Sequence, residues 1–74
     1  MMRINENYSI ALAANAGGAN EEIVLGVRDT IKKGAPGNYV TWLCCRGTDY
    51  MWGHYFSDVA DAAEDFASRV KRGY

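Results

Sequence analysis

The side chains that could do covalent chemistry are few and lie close together along the chain. The sequence has two cysteines and one histidine, at Cys44, Cys45 and His54. In a hairpin that pairs their two segments, Cys45 and His54 share a face but lie about 13 Å apart at roughly 3.3 Å per residue. A nucleophile and its base need a separation of about 3 Å. The spacing argues against a cysteine–histidine dyad, and we expect no enzyme.

Metal and nucleotide chemistry are disfavoured as well. Zinc needs about four suitably spaced ligands, and one histidine with two adjacent cysteines does not supply them from one chain. The segment 15–20, rich in glycine and asparagine, leads into a predicted strand, whereas a phosphate-cradling loop leads into a helix. A disulfide between Cys44 and Cys45 would be strained, so we expect reduced thiols in a cytoplasmic protein without a cofactor.

The charge balance and the short length narrow the class of partner. Eight Lys and Arg oppose nine Asp and Glu in 74 residues, so no basic surface for DNA or RNA phosphates is indicated. No apolar run approaches the roughly 20 residues that cross a bilayer, so a membrane partner is not expected. One domain over residues 1–74 buries only about 60% of the surface that its unfolded chain exposes, which leaves little room for a deep cleft. These limits favour a protein that binds another protein.

Alternation of apolar and polar residues predicts strands that form two hairpins. The first hairpin turns in the segment 15–20. The second turns at Gly47 and Thr48, where glycine at the first position of a two-residue loop favours a type II′ turn. The segment 29–38 is interpreted as a loop. The four predicted strands are 8–13, 22–27, 39–46 and 49–56.

A helix is predicted after the last strand. Ser57 or Asp58 is a suitable N-cap, the helix runs to about Lys71, and Gly73 is suited to end it. The face predicted to pack consists of Val59, Ala62, Ala63, Phe66 and Val70. Together these elements predict an α+β fold, a four-stranded antiparallel sheet of two hairpins with one C-terminal helix packed on one face.

The second hairpin carries large side chains on both faces of the predicted sheet. The two-residue turn places Trp42 opposite Gly53, where the indole could shield the glycine backbone. The other predicted pairs are Cys45–Tyr50, Leu43–Trp52, Thr41–His54 and Val40–Tyr55. One face then holds Leu43, Cys45, Tyr50, Trp52 and Phe56, and the other holds Val40, Trp42, Cys44, Met51 and Tyr55.

One helix covers only one face of such a sheet, so the other face is expected to keep a patch rich in Trp, Tyr and Met. This composition is enriched at protein interfaces. Two alternatives stay open. Sheet curvature, the loop with Lys32 and Lys33 and the N-terminal arm close over the second face and make these aromatics core, or a second copy covers them in a homodimer. The predicted partner-binding residues on the hairpin are Trp42, Tyr50, Met51, Trp52 and Tyr55.

The exposed side of the predicted helix is acidic. Asp61, Glu64 and Asp65 are predicted on it, where they could steer a partner electrostatically. The alternative is a solvated face on which Asp65 and Arg69 form an ordinary i to i+4 pair. For His54 the favoured interpretation is a polar side chain that is hydrogen-bonded at the sheet face opposite Thr41.

The last two strands and the helix also carry a recognisable pattern. Residues 39–42 read YVTW and residues 52–56 read WGHYF, and an acidic, alanine-rich helix with a basic end follows. Over this part, about half of the chain, the sequence resembles small proteins encoded by phages and mobile elements of gut Firmicutes. Some proteins of that size and source are anti-CRISPR factors, although many of those that mimic nucleic acids are markedly more acidic.

The resemblance implies a non-enzymatic inhibitor that binds a host CRISPR effector complex and blocks it in the host cytoplasm. The chain is nearly neutral, so blocking through the aromatic face is as compatible with the resemblance as nucleic-acid mimicry. The second interpretation is a structural homodimer or a small interaction module that uses its aromatic sheet face.

Overall fold

A computed structural model describes residues 3–74, which form a meander of strands followed by one helix. The five strands run antiparallel to their neighbours in the order β1-β2-β3-β4-β5. The helix contacts β3, β4 and β5. The predicted α+β class, with an antiparallel sheet and one C-terminal helix, is confirmed. The elements are β1 (Ile4–Asn5), β2 (Tyr8–Asn15), β3 (Glu21–Arg28), β4 (Tyr39–Cys45), β5 (Asp49–Phe56) and α1 (Val59–Arg72).

The prediction of four strands is wrong by one, because β1 was not foreseen. Ile4 pairs with Ser9 and Asn5 with Tyr8, and the chain reverses between them through Glu6, which has a φ of 56°. A strand of two residues is too short to show the alternation by which strands are read from a sequence. β1 therefore extends the sheet beyond the first predicted hairpin.

The β4–β5 hairpin has the predicted pairing at its open end and a different one near its turn. Val40 pairs with Tyr55 and Thr41 with His54, as predicted. The predicted pairs Cys45–Tyr50 and Leu43–Trp52 are wrong, since Cys45 pairs with Asp49 and Leu43 with Met51.

Two local features cause the change in register. The loop contains Arg46 as well as Gly47 and Thr48, and the φ angles of Arg46 and Gly47 are 59° and 74°, the signs that a type I′ turn requires. Trp52 is then an extra residue in β5, at the register shift that lies opposite Trp42. An extra residue of this kind is a β-bulge.

Because of the changed register, two residues of β5 lie on the face of the sheet opposite to the predicted one. Pairing with Leu43 puts Met51 on the helix side, and pairing with Cys44 puts Tyr50 on the other side. Both residues therefore lie on the face opposite to the predicted one. Trp52 belongs to neither regular row, because it is the bulged residue.

The helix begins and ends as predicted. The Asp58 side chain accepts a hydrogen bond from the backbone N–H of Ala60 at 2.8 Å, and Gly73 ends the helix with a φ of 90°. Such caps satisfy backbone groups that the helix leaves free. Val59 and Ala63, both predicted on the packing face, are exposed. The helix-side core joins Phe66 and Val70 to Ala16, Ile23, Leu43, Cys45 and Met51.

The face without the helix is closed by its own aromatic side chains. The Trp42 ring centroid lies 5.4 Å from that of Tyr8 and 5.4 Å from that of Tyr50, and Trp42 is only 3% exposed. Tyr8 and Tyr55 approach to 6.4 Å, although their strands would lie about 14 Å apart in a flat sheet. Curvature and aromatic packing thus make this face a second core, as one of the two alternatives foresaw.

The N-terminal arm completes this closure. One Nη atom of Arg3 lies 3.4 Å from Cys44 Sγ and 3.4 Å from the Tyr50 hydroxyl. The same guanidinium pairs with Glu22 at 3.1 Å. The Arg3 side chain, just before β1, therefore reaches Tyr50 of β5 across this face of the sheet.

Candidate functional site

The structure separates the eight predicted partner-binding residues into two groups. Trp52 and Tyr55 of β5 are 62% and 52% exposed, and Asp61 and Glu64 of α1 are exposed as well. We call these four residues the outer-strand surface: Trp52 and Tyr55 belong to β5, the last strand of the sheet, and Asp61 and Glu64 belong to the helix that contacts it. Tyr55 lies on the aromatic face and the helix on the opposite face, so the two pairs lie on either side of this strand. The four that are buried or half-buried are Trp42, Tyr50, Met51 and Asp65.

Trp52 combines exposure with an unfavourable backbone conformation. Its φ of 54° lies in the left-handed region, which costs a residue with a side chain roughly 1–2 kcal/mol. The neighbouring Gly53 leaves room for a side chain of β4 beside the bulge. A Cβ at Gly53 would lie 2.9 Å from Nε1 of Trp42, so the indole covers this glycine as the sequence predicts. The bulge presents Trp52 at the sheet edge.

One side of the Tyr55 ring packs against the protein, and the other side is exposed to solvent. Its ring centroid lies 6.5 Å from that of Trp42 in an edge-to-face arrangement, which aromatic pairs favour. Half of its side chain nevertheless faces solvent. Tyr55 therefore offers a partner a rigid aromatic surface that needs little ordering on binding.

A polar network fastens β5 and β4 to the helix. His54 Nδ1 lies 2.9 Å from Asp65 Oδ2, and the Thr41 hydroxyl donates to the same oxygen at 2.7 Å. Arg69 is 1% exposed and donates to the Thr41 hydroxyl and carbonyl oxygens, both at 3.0 Å. The interpretation of His54 as a hydrogen-bonded side chain opposite Thr41 is confirmed.

Two predictions about the helix are corrected by this network. Asp65 does not lie on the exposed acidic face, because it turns to the sheet and binds Thr41 and His54. Arg69 is likewise no surface partner for Asp65, since it is buried between helix and sheet. The sequence showed the Thr41–His54 pair and the Asp65–Arg69 spacing separately. It did not show the rotation of the helix that brings them together.

The network keeps Asp65 charged. Burial alone raises the pKa of this carboxyl, but hydrogen bonds from Thr41 and His54, with the charges of His54 and Arg69, outweigh burial and leave the pKa below its ordinary value. Burial lowers the pKa of Arg69, and the charge of Asp65 opposes that effect. A carboxylate and a guanidinium held this way join helix and sheet in one geometry.

Both cysteines lie on the sheet, on opposite faces. Cys44 is buried beneath Arg3, and burial raises the pKa of its thiol. Cys45 packs in the helix-side core with Leu43 and Met51. Neither thiol is bonded to the other, and His54 is bonded to Asp65.

A shallow depression adjoins the network on the outer side. Its volume is about 330 Å³, and it lies between the end of β5 and the helix. Within residues 3–74 no three metal-ligating side chains come together, and no helix is long and apolar enough to cross a membrane. The depression is lined by Phe56, Asp61, Glu64, Asp65 and Ser68.

Comparison of the chain with protein-family models, with curated proteins and with solved structures finds no match. The physical properties of the outer-strand surface are therefore the basis for inferring a function.

Proposed function

We propose that this protein is a non-enzymatic inhibitor that binds a larger protein through its outer-strand surface. The observation that carries the proposal is Trp52, an exposed tryptophan held on a strained bulge at the edge of the sheet. Left-handed backbone at residues other than glycine is costly and concentrates at functional sites. Buried tryptophan and tyrosine dominate the binding energy of protein interfaces.

The residues that pack beneath the outer-strand surface hold β5 in place, which favours binding. Tyr55 rests on the buried Trp42, and the hydrogen bond from His54 to Asp65 ties the same strand to the helix. A surface that is rigid before binding loses less conformational entropy on association. Trp42 and Asp65 therefore act as supports for the anchors rather than as contacts.

The charge of the surface indicates what the partner carries. Asp61 and Glu64 are exposed beside the end of β5, so a partner with basic groups around an apolar pocket would complement it. Charges at the rim of an interface raise the association rate more than the affinity. The resemblance to phage and mobile-element proteins adds the proposal that the partner is a CRISPR effector, whose nucleic-acid-binding channels are basic.

The homodimer through the aromatic face draws no support from the packing. Trp42 is buried by residues of its own chain, so the residue at the centre of the predicted interface is not available to a second copy. The inhibitor therefore remains the single function that we propose.

The proposal is tested by affinity capture from host lysate with matched baits. The wild type is immobilised beside Trp52→Gly, which removes the anchor and relieves the positive φ, and beside Tyr74→Ala. Tyr74 is an exposed aromatic residue of similar accessibility at the C-terminus, so it controls for nonspecific aromatic binding. A further bait combines Asp61→Asn with Glu64→Gln and leaves Asp65 and its network intact.

We expect one protein to be retained by the wild type and by Tyr74→Ala but to be lost from Trp52→Gly. The double charge variant should retain less of it, and the difference should shrink at high salt because salt screens exposed charges. Equal retention by Trp52→Gly, with circular dichroism showing that all baits are folded, would overturn the proposed surface.

A further inference from the structure

The outer edge of β5 is open over its second half. Among residues 3–74, β5 pairs with β4 alone and ends the sheet. Its first half carries the charged Asp49 and leads into the bulge at Trp52, and both features discourage the addition of a strand. The segment 53–56, between the bulge and the helix, contains no Asp, Glu, Lys or Arg and no proline. This part of the edge therefore lacks the usual protection against strand pairing.

A hydrogen bond at the end of β4 shows which backbone groups of β5 point outward. The N–H of Arg46, directly after β4, donates to the carbonyl of Asn20 at 2.7 Å, so the backbone groups of Arg46 face β3. Backbone groups alternate between the two sides of a strand, so those of Thr41 face β5, and those of its partner His54 face back to β4. The N–H and C=O groups of the next residue, Tyr55, therefore point away from the sheet.

The two sides of this open edge differ in chemistry. Tyr55 lies on the aromatic side and is 52% exposed. The next residue, Phe56, lies on the helix side, where it lines the depression of about 330 Å³ together with Asp61 and Glu64. An aromatic surface and an acidic one thus flank the same stretch of open backbone.

We propose that the segment 53–56 binds an extended strand of the partner in which apolar and basic residues alternate. The inference rests on the proposed function and names the element that the partner contributes. Side chains of a strand alternate between the two sides of a sheet, so a residue opposite Tyr55 contacts the aromatic side and its neighbour, opposite Phe56, enters the depression. An apolar residue fits the first position. Lysine or arginine fits the second, because Asp61 and Glu64 supply the opposite charge.

The positions of the two pairs of the outer-strand surface favour a strand over other partner elements. Trp52 and Tyr55 lie on one side of β5, and Asp61 and Glu64 lie on the other. A helix docked on one face of the sheet contacts only one pair, whereas a strand added to the edge reaches both. In this binding mode the backbone hydrogen bonds provide affinity, and the alternating side chains provide specificity. The β5 strand of a second copy does not fit, because it contains no Lys or Arg.

The test uses a capped hexapeptide in which valine and lysine alternate, added to the isotope-labelled full chain and followed by amide chemical shifts. A peptide of the same composition, with all valines before all lysines, is the matched control for alternation. An alternating peptide of valine and glutamate is the control for charge. We expect the alternating lysine peptide to shift the amides of the segment 53–56 and to bind at least about tenfold more tightly than either control. The Tyr55 amide should exchange more slowly with solvent when this peptide is bound.

Two substitutions at Tyr55 separate the backbone contact from the aromatic one. Tyr55→Ala and Tyr55→Pro both remove the ring, but only proline also removes the outward N–H. Proline is tolerated on an edge strand where the missing N–H faces solvent, so both variants should fold, as circular dichroism can show. We expect Tyr55→Pro to bind the alternating lysine peptide at least about tenfold more weakly than Tyr55→Ala.

The wild type alone provides results that would overturn the proposal. Equal binding of the two lysine peptides would do so, and so would no binding or shifts confined to residues outside the segment 53–56. A Tyr55 amide that exchanges slowly in the free chain would also overturn it, since that N–H would then be bonded within the chain. Failure of the proposed function has a different sign, namely equal retention of a captured protein by the wild type and by Trp52→Gly.

Discussion

Two tryptophans ten positions apart in the sequence have opposite environments in this protein. Trp42 is 3% exposed and forms the centre of an aromatic core, whereas Trp52 is 62% exposed at the sheet edge. Their residue type and their predicted position on the second hairpin made both equally good candidates for binding. The bulge at Trp52 decides between them, and a left-handed tryptophan is not a conformation that local sequence preferences predict.

The strain at Trp52 has a measurable consequence for stability. Glycine adopts a positive φ at little cost and alanine does not, so Trp52→Gly should be more stable than Trp52→Ala by about 1 kcal/mol. Urea unfolding followed by circular dichroism measures the difference. At an exposed strand position with ordinary φ, such as Ala13, the order should be reversed, with Ala13→Gly less stable than the wild type.

A second prediction concerns the charge of Asp65. The pKa of this carboxyl is lower in the folded chain than its ordinary value, so its charged form stabilises the fold above about pH 4 and loses that contribution as the pH falls through the folded pKa. Asp65→Asn should lower the free energy of unfolding at pH 7 by about 2 kcal/mol. The gap between wild type and Asp65→Asn should close towards pH 2.

Denaturation at pH 7, 5, 3 and 2 gives this profile. Asp61→Asn is the matched control, because Asp61 is exposed on the same helix, and its effect should be small at every pH. A gap for Asp65→Asn that stays constant down to the lowest pH would contradict the role assigned to its charge.

The elements of this fold were more predictable than their mutual placement. The helix caps at Asp58 and Gly73 and the existence of the two main hairpins follow from local residue preferences and are confirmed. The predicted type II′ turn at Gly47 and Thr48 is wrong, because the positive φ angles lie at Arg46 and Gly47. The rotation of the helix was not predictable, because Asp65 and Arg69 are polar and their periodicity assigns them to solvent. Their burial depends on Thr41, a partner 24 residues away from Asp65 in sequence.

A prediction at this scale concerns the contact between β4 and β5. Gly53→Ala would bring its Cβ within 3.0 Å of Cε1 of Tyr55 and closer still to Trp42, so the variant should lose about 1–3 kcal/mol of stability through overpacking. The fluorescence of Trp42 should change as well. Gly37→Ala is the milder comparison, since its Cβ would approach the Tyr8 hydroxyl to 3.3 Å, a smaller overlap that should cost less stability. Equal stability of the two variants would contradict the close packing described for Gly53.

In the whole molecule, the two faces of the sheet differ from its two edges in how far their side chains are exposed. Both faces carry a buried core, one under the helix and one of aromatic residues. Among residues 3–74, four of the seven exposed large apolar residues lie on β1, β2 and β5, namely Ile4, Leu12, Trp52 and Tyr55. The surplus of aromatic residues was visible in the sequence. Sheet curvature and one bulge decide which of these aromatic residues enter the second core and which belong to the outer-strand surface. Both features arise only when all strands are assembled.

The measurement that tests the central claim most directly is the affinity of Trp52→Gly for the captured partner, by isothermal titration calorimetry beside the wild type. Loss of an anchor of this kind costs about 2 kcal/mol or more, so we predict a dissociation constant at least about 30-fold higher for a variant that remains folded. Tyr74→Ala should bind like the wild type. Equal affinities of Trp52→Gly and wild type would contradict the claim that this outer-strand tryptophan is the binding anchor.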